Sequence, residues 1–229
     1  MVRWAVFGAN VVVRGPVRGF DWLVSEPKPS LAKAIQSHFA PTLRRDGFSG
    51  TSKRYWRVVG GQCQVVEVQG SRHGVKFAVN MGIQPMSVPL LLRGAPEPKR
   101  IREMECLLRR RLAIQRGDQW WDYQPNQLSM DAAARDACAV YEQVGRGQLE
   151  FLAQPNSPLN TLTPEAFAAG TFDFKGFGNT GVLMAWTLAH MRKAAGKNAK
   201  ARGFAQVALK QIGDGLAGSS LKAELHELL

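Results

Sequence analysis

The stretch KRYWRVVGGQCQVVEVQGSRHGVKFAVNMGI, Lys53 to Ile83, decides the fold. Tyr55 to Val59 and Cys63 to Gln69 are rich in β-branched and aromatic residues, which suit a pleated, half-buried surface. Between them Gly60 and Gly61 can take the positive φ angles of a two-residue hairpin turn. A second turn falls at Gly70 to Gly74. After it Val75, Phe77, Val79 and Met81 alternate with Lys76, Ala78 and Asn80. That alternation sets one row against a core and the other outward or into a groove. Three antiparallel neighbouring strands follow.

Upstream, Ser30 can cap a helix whose apolar positions Leu31, Ala34, Ile35, Phe39 and Leu43 recur at helical spacing. Pro41 removes a hydrogen bond and kinks that helix, making its last turn separate. Asp46, Gly47 and Phe48 form its stop, with Gly47 left-handed and Phe48 folded back. The helix, Ser30 to Arg45, is expected to cover the apolar face of the sheet. Met1 to Pro29 sustains no period; Val11 to Val13 could add a strand, and a loose arm is the other reading.

Downstream, four prolines between Gln84 and Lys99 mark a loop expected to cross the sheet edge. Arg100 to Ile114 has a helical composition, yet Cys106, Leu108, Arg110, Leu112 and Ile114 alternate, so periodicity leaves helix and strand open. Trp120 and Trp121 are read as packing residues rather than a binding platform. From Ser129 the texture is helical. Ser129 is the expected cap of a helix with Ala132 to Val144 as its body, stopped by Gly145 and Gly147, with Leu149 to Leu152 as a second piece. Thr163, Pro164 and Glu165 start another helix. After the loop GTFDFKGFGN (170–179), helices near Thr180 to Ala195 and across Ala201 to Ile212 should form an antiparallel hairpin. Leu221 to Leu229 closes the chain as an amphipathic segment. The fold class is α+β: an antiparallel sheet of about four strands, a covering N-terminal helix and a helical C-terminal part. The expected division is 1–28 as a poorly defined arm, 29–125 as the sheet core and 126–229 as helices packed on it.

At 229 residues, with 45% hydrophobic and 21% charged, the chain can bury a core without disulfides or metals. Lys and Arg total 30 against 18 Asp and Glu, a net charge of +12. That surplus favours an acidic protein, nucleic acid or an anionic surface as partner, against the plainer alternative of a solvated basic surface. Cys63, Cys106 and Cys138 are scattered, which indicates free buried thiols in a reducing compartment. No apolar run reaches a membrane span, and the signal-like start is interrupted by Gly8, Asn10 and Arg14. A cytoplasmic protein that engages no membrane is expected.

The order of the pieces resembles a family known as domain of unknown function 4304. The residues that carry the resemblance are Leu43 to Phe48, Arg54 to Val59, Val68 to Ser71 and Phe77 to Gly82. Further on come Glu105 with Cys106, Arg111 with Leu112, and Asp118 with Trp120 and Trp121. The resemblance covers about Leu31 to Tyr123, and the helical half in texture only. It implies that Cys106 to Ile114 is a fourth strand. It supplies no catalytic residues, because the family has none assigned.

The sequence excludes more chemistry than it supports. No phosphate-cradling loop is present, because the Gly60 and Gly61 pair belongs to a hairpin and GFGN near Gly178 lacks the lysine and preceding strand. His38, His73, His190 and His226 are solitary, so no metal and no cofactor is expected. A nucleophile assembled from Cys63 or Cys106 with His73 lacks support from spacing. The polar and basic residues are more informative. Gln69 and Asn80 late in neighbouring strands, with Arg109 and Arg111 on the same face, could hold a carboxylate, phosphate or peptide backbone. The alternative is that they satisfy one another. Tyr55 and Trp56, interleaved with Lys53, Arg54 and Arg57, could stack on bases. Lys197, Lys200 and Arg202, beside Arg192 and Lys193, could meet an acidic partner or nucleic acid.

The leading expectation is a non-enzymatic binding or interaction module of bacterial type for an acidic protein or other macromolecule, an immunity or antitoxin-like role being one form. One alternative is an enzyme acting on a nucleic-acid or phosphate-containing substrate. Another is nonspecific nucleic-acid binding.

Overall fold

The computed structural model describes residues 28–229, apart from 92, 116 and 214–218. The N-terminal arm and the Val11 to Val13 strand lie outside the described residues, Lys28 excepted.

Helix α1 (Leu31–His38) is capped by Ser30, whose hydroxyl accepts the Lys33 N–H at 3.4 Å. Pro41 interrupts it as expected, so that α2 (Ala40–Arg45) is a separate piece with proline in its first turn. Gly47 takes a φ of +86°, and the Phe48 N–H returns to the Leu43 carbonyl at 2.9 Å. Phe48 is thereby folded into the core.

The sheet is antiparallel throughout, in the order β1 (Ser49–Thr51), β2 (Arg54–Val59), β3 (Gln62–Gly70), β4 (Lys76–Pro85), β5 (Leu108–Arg111). β6 (Trp121–Asp122) pairs with β4 at Lys76 and Phe77, beside β5 on the same edge. The two short strands β1 and β6 extend the expected four to six. Gly60 and Gly61, at φ +57° and +72°, close the β2–β3 hairpin. Val75 falls outside β4 and is half exposed, so the apolar row begins at Phe77.

The ambiguity over 100–114 resolves as neither a helix nor a long strand. Glu103–Glu105 forms a single 3₁₀ turn, and only Leu108–Arg111 joins the ladder, shorter than the strand implied by the resemblance. Cys106 precedes the strand and packs onto β4. A Cβ on Gly82 would stand 2.6 Å from the Cys106 Sγ, so the close crossing requires glycine there.

Two expectations about the first C-terminal helix are corrected. Its cap is Asn126, which accepts the Ser129 N–H at 2.9 Å, while the Ser129 hydroxyl accepts the Gln124 N–H. Nor do Gly145 and Gly147 stop it. α3 (Gln127–Val140) runs through a π-turn at Tyr141–Gly145 into α4 (Arg146–Ala153). Gly145 keeps helical angles, φ −65° and ψ −45°. Its role is close approach: an added Cβ would lie 2.9 Å from Leu112 Cδ1 and 3.0 Å from the Tyr141 ring.

Short helices α5 (Pro158–Thr161) and α6 (Pro164–Ala168) follow, the second capped by Thr163. α7 (Gly181–Ala194) and α8 (Asn198–Ile212) make the hairpin, and α9 (Ser219–His226) packs its Leu225 into the core, as does Leu228 just beyond it. A continuous buried cluster joins Ile35 and Leu43, the Tyr55, Val66, Val79 and Met81 face of the sheet, Ala134 of α3, and Trp186 and Phe204 of the hairpin. The opposite sheet face is half covered by the proline-rich loop, where Leu90, Ile101 and Cys106 pack on Cys63 and Val65. Among the described residues, no helix is long and apolar enough to cross a membrane.

Candidate functional site

The uncovered half of that second face carries the candidate site. Strand alternation sets Glu67 and Gln69 of β3, Asn80 of β4, and Arg109 and Arg111 of β5 on one side, in a register that pairs Asn80 with both Glu67 and Arg111. The 3₁₀ turn adds Glu103, and a cleft of about 390 Å³ opens among these groups, with Arg102 and Met104 completing its lining.

Arg111 is held from several directions. Its Nε donates to Asn80 Oδ1 at 3.1 Å and one Nη to Gln69 Oε1 at 3.4 Å. Asn80 in turn donates to Gln69 Oε1 at 2.8 Å. The Trp120 ring lies 4.8 Å from the guanidinium, and Lys76 approaches the same ring at 5.3 Å. The remaining Nη reaches Asp118 Oδ2 at 2.7 Å, on a carboxylate that is 68% exposed. Arg109, by contrast, pairs with an inner acid. Glu103 accepts from it at 2.9 and 3.4 Å and is 5% exposed. Burial pushes the Glu103 carboxyl above the usual range, and Arg109 pulls it back in part. The same pairing holds the Arg109 guanidinium above its ordinary value. Behind them Glu67 accepts the Glu103 N–H at 3.0 Å and lies 3.9 Å from Arg102.

Gln69, Asn80, Arg109 and Arg111 are thus brought together on one face. Tyr55 and Trp56 are not, because adjacent strand residues face opposite ways. Tyr55 is fully buried in the main core, its hydroxyl donating to the Ser52 carbonyl, whereas Trp56 packs on the second cluster. The base-stacking strand is corrected accordingly. Arg57 is also engaged, donating to Gln64 and to the Asp46 carbonyl over the Phe48 ring. Lys197, Lys200 and Arg202 lie exposed around the start of α8 and line no part of the cleft. Their neighbour Arg192 is buried and donates to the carbonyls of Leu159 and Leu162 at 2.9 and 3.1 Å.

The thiol nucleophile does not assemble. Cys63 and Cys106 are buried beneath the proline-rich loop, and burial pushes Cys63 up to about 11 and Cys106 up as well, away from a reactive thiolate. His73 is exposed in the β3–β4 turn. His38 faces Asp131 at 3.4 Å, and His190 packs on the Trp186 ring at 4.4 Å.

Four lining residues of the cleft, Glu67, Arg102, Glu103 and Met104, escaped the reading of the sequence as a site, as did Asp118 and Trp120 beside it. Glu67 was available from alternation, two residues before Gln69. Asp118 stood in a quoted motif without a stated role, and Trp120 was read there as a packing residue. Glu103 gave no signal, because it sits on an irregular turn.

The residues quoted for the family resemblance therefore converge: Gln69, Asn80, Asp118 and Trp120 all contact Arg111. The model of the family described as Domain of unknown function (DUF4304) matches residues 39–149. The resemblance to that family is shown. The DUF4304 match begins at Phe39 rather than at α1 and extends through α3 into α4, so it includes more of the first long helix than the motifs indicated. No curated protein and no solved structure matches the chain.

Proposed function

We propose that the chain is a non-enzymatic interaction module whose sheet-face cleft holds an acidic group of a macromolecular partner, an immunity or antitoxin-like role being one form. The observation that carries this reading is Arg111. Two amides and an indole fix the guanidinium, and its remaining edge is paired with the exposed carboxylate of Asp118, the partner an incoming acidic group would displace. A planar, preoriented fork of that kind suits carboxylate recognition. Around it, Arg102, Arg109, Arg111 and Lys76 stand against Glu67, Glu103 and Asp118, a surplus of one positive charge among these described residues. So small a surplus favours a singly charged group over a polyphosphate, which weighs against the phosphate-substrate and nucleic-acid alternatives.

The test is affinity capture from the protein's own cells with the tagged wild type beside Arg109→Glu/Arg111→Glu, followed by titration of the partner obtained. A protein retained by the wild type and lost by the double variant supports the reading. A partner held equally by both refutes it, as does tight, salt-sensitive nucleic-acid binding by the wild type.

A further inference from the structure

A second concavity lies far from the cleft in composition. It measures about 810 Å³ and sits where the β2–β3 turn, the end of α4 and the end of α7 meet. Its apolar lining comes from Met86, Ala153, Pro155, Met191 and Ala194, and no Asp or Glu among the described residues contributes to it. The wall is tightly built, since a Cβ on Gly60 would stand 2.3 Å from the Ala153 carbonyl oxygen.

The polar contribution is cationic. Arg192 lines the groove at 3% exposure, and no carboxylate pairs with it among the described residues. Two of its nitrogens are committed to the Leu159 and Leu162 carbonyls, and its Nε–H has no acceptor among those residues. Two carbonyls and the Phe204 ring, 5.6 Å from the guanidinium, offset part of its desolvation, but no carboxylate among the described residues does, although a buried charge is normally paired with an opposite one. Lys197 adds an exposed ammonium at the rim.

We propose that this groove binds a carboxylate carried on an apolar tail, whether a free aliphatic acid or the C-terminal residue of a peptide. The head group pairs with Lys197 within the field of Arg192, and the tail covers Met86, Met191 and Pro155. A monoanion suits the site better than a phosphate, because Arg192 has already spent two of its nitrogens on backbone. This site is separate from the Arg111 cleft and stands or falls independently of it.

Isothermal titration of the full chain tests it with octanoate, octylammonium, and a leucine-ended hexapeptide as free acid and as amide. Octanoate, the free-acid peptide or both should bind at least about tenfold more tightly than their cationic or amidated counterparts. Arg192→Gln frees two carbonyls and can fail through folding, so Ala194→Trp, at an exposed position on the groove wall, carries the test. Ala194→Trp should abolish anion binding while leaving the thermal midpoint close to wild type. Equal binding of anion and counterpart overturns the proposal, as does no anion binding or binding that Ala194→Trp leaves intact. The stronger of the two anions identifies the source of the carboxylate.

Discussion

Arg111 and Asp118 form one ion pair whose two halves differ in burial, and that difference decides their contributions. The arginine side chain is 21% exposed and makes hydrogen bonds to Asn80 and Gln69 besides its stacking on Trp120. Arg111→Lys keeps the charge but loses the planar fork, so the two amides lose an ordered donor. A destabilisation of about 1–2 kcal/mol is expected in urea unfolding. Asp118→Asn removes only an exposed partner and should cost under about 1 kcal/mol. Equal losses for the two variants would show that the ion pair, and not the amide and indole cradle, holds Arg111 in place. The amide part of the cradle, Gln69 and Asn80 beside Arg111, was legible in the sequence because alternation alone fixes which strand residues share a face, whereas Trp120 lies outside the strands. Tyr55 and Trp56 failed by the same rule, since neighbours in a strand cannot form one platform. Glu103 stayed hidden because a 3₁₀ turn between a loop and a four-residue strand leaves no period to read.

At the level of elements, helix ends are where local signals competed. Ser129 and Asn126 are both good caps, and the chain uses the earlier one, which starts the helix at Gln127. Asn126→Ala is expected to cost about 1 kcal/mol of stability. Gly145 is the sharper case. Helix propensity predicts that Gly145→Ala gains up to about 1 kcal/mol, because glycine is the weaker helix former. Contact predicts the opposite, since the new Cβ meets Leu112 at 2.9 Å and Tyr141 at 3.0 Å, with Met81 Sδ at 3.3 Å. Crowding should win, with a net loss of about 1–3 kcal/mol in chemical denaturation. A stabilised Gly145→Ala variant would mean that the helix has room to lift off Leu112 and Met81. Composition reads Gly145 as a stop because a sequence shows the residue's freedom and not the neighbour pressed against it.

For the molecule as a whole, the helical part is expected to respond to pH through a half-buried histidine. His190 of α7 lies against Trp186, whose indole N–H donates to Glu224 of α9 at 3.1 Å and so ties the two helices together. Burial holds the His190 imidazole below its ordinary value of 6.5, only partly opposed by Glu224, and its Nε2 has no partner among the described residues. The folded chain therefore takes up this proton less readily than the unfolded chain. Stability from neutral His190 is fully present above the unfolded value of 6.5 and is lost as pH falls through that value toward the lowered one. Acidification from neutral pH should reduce the unfolding free energy, with the Trp186 environment reporting the change in fluorescence. His190→Leu deletes the titrating group and should flatten this part of the pH profile, whatever its effect on stability at neutral pH. A slope of wild-type size in His190→Leu would assign the acid sensitivity to another group and leave the α7–α9 contact indifferent to protonation.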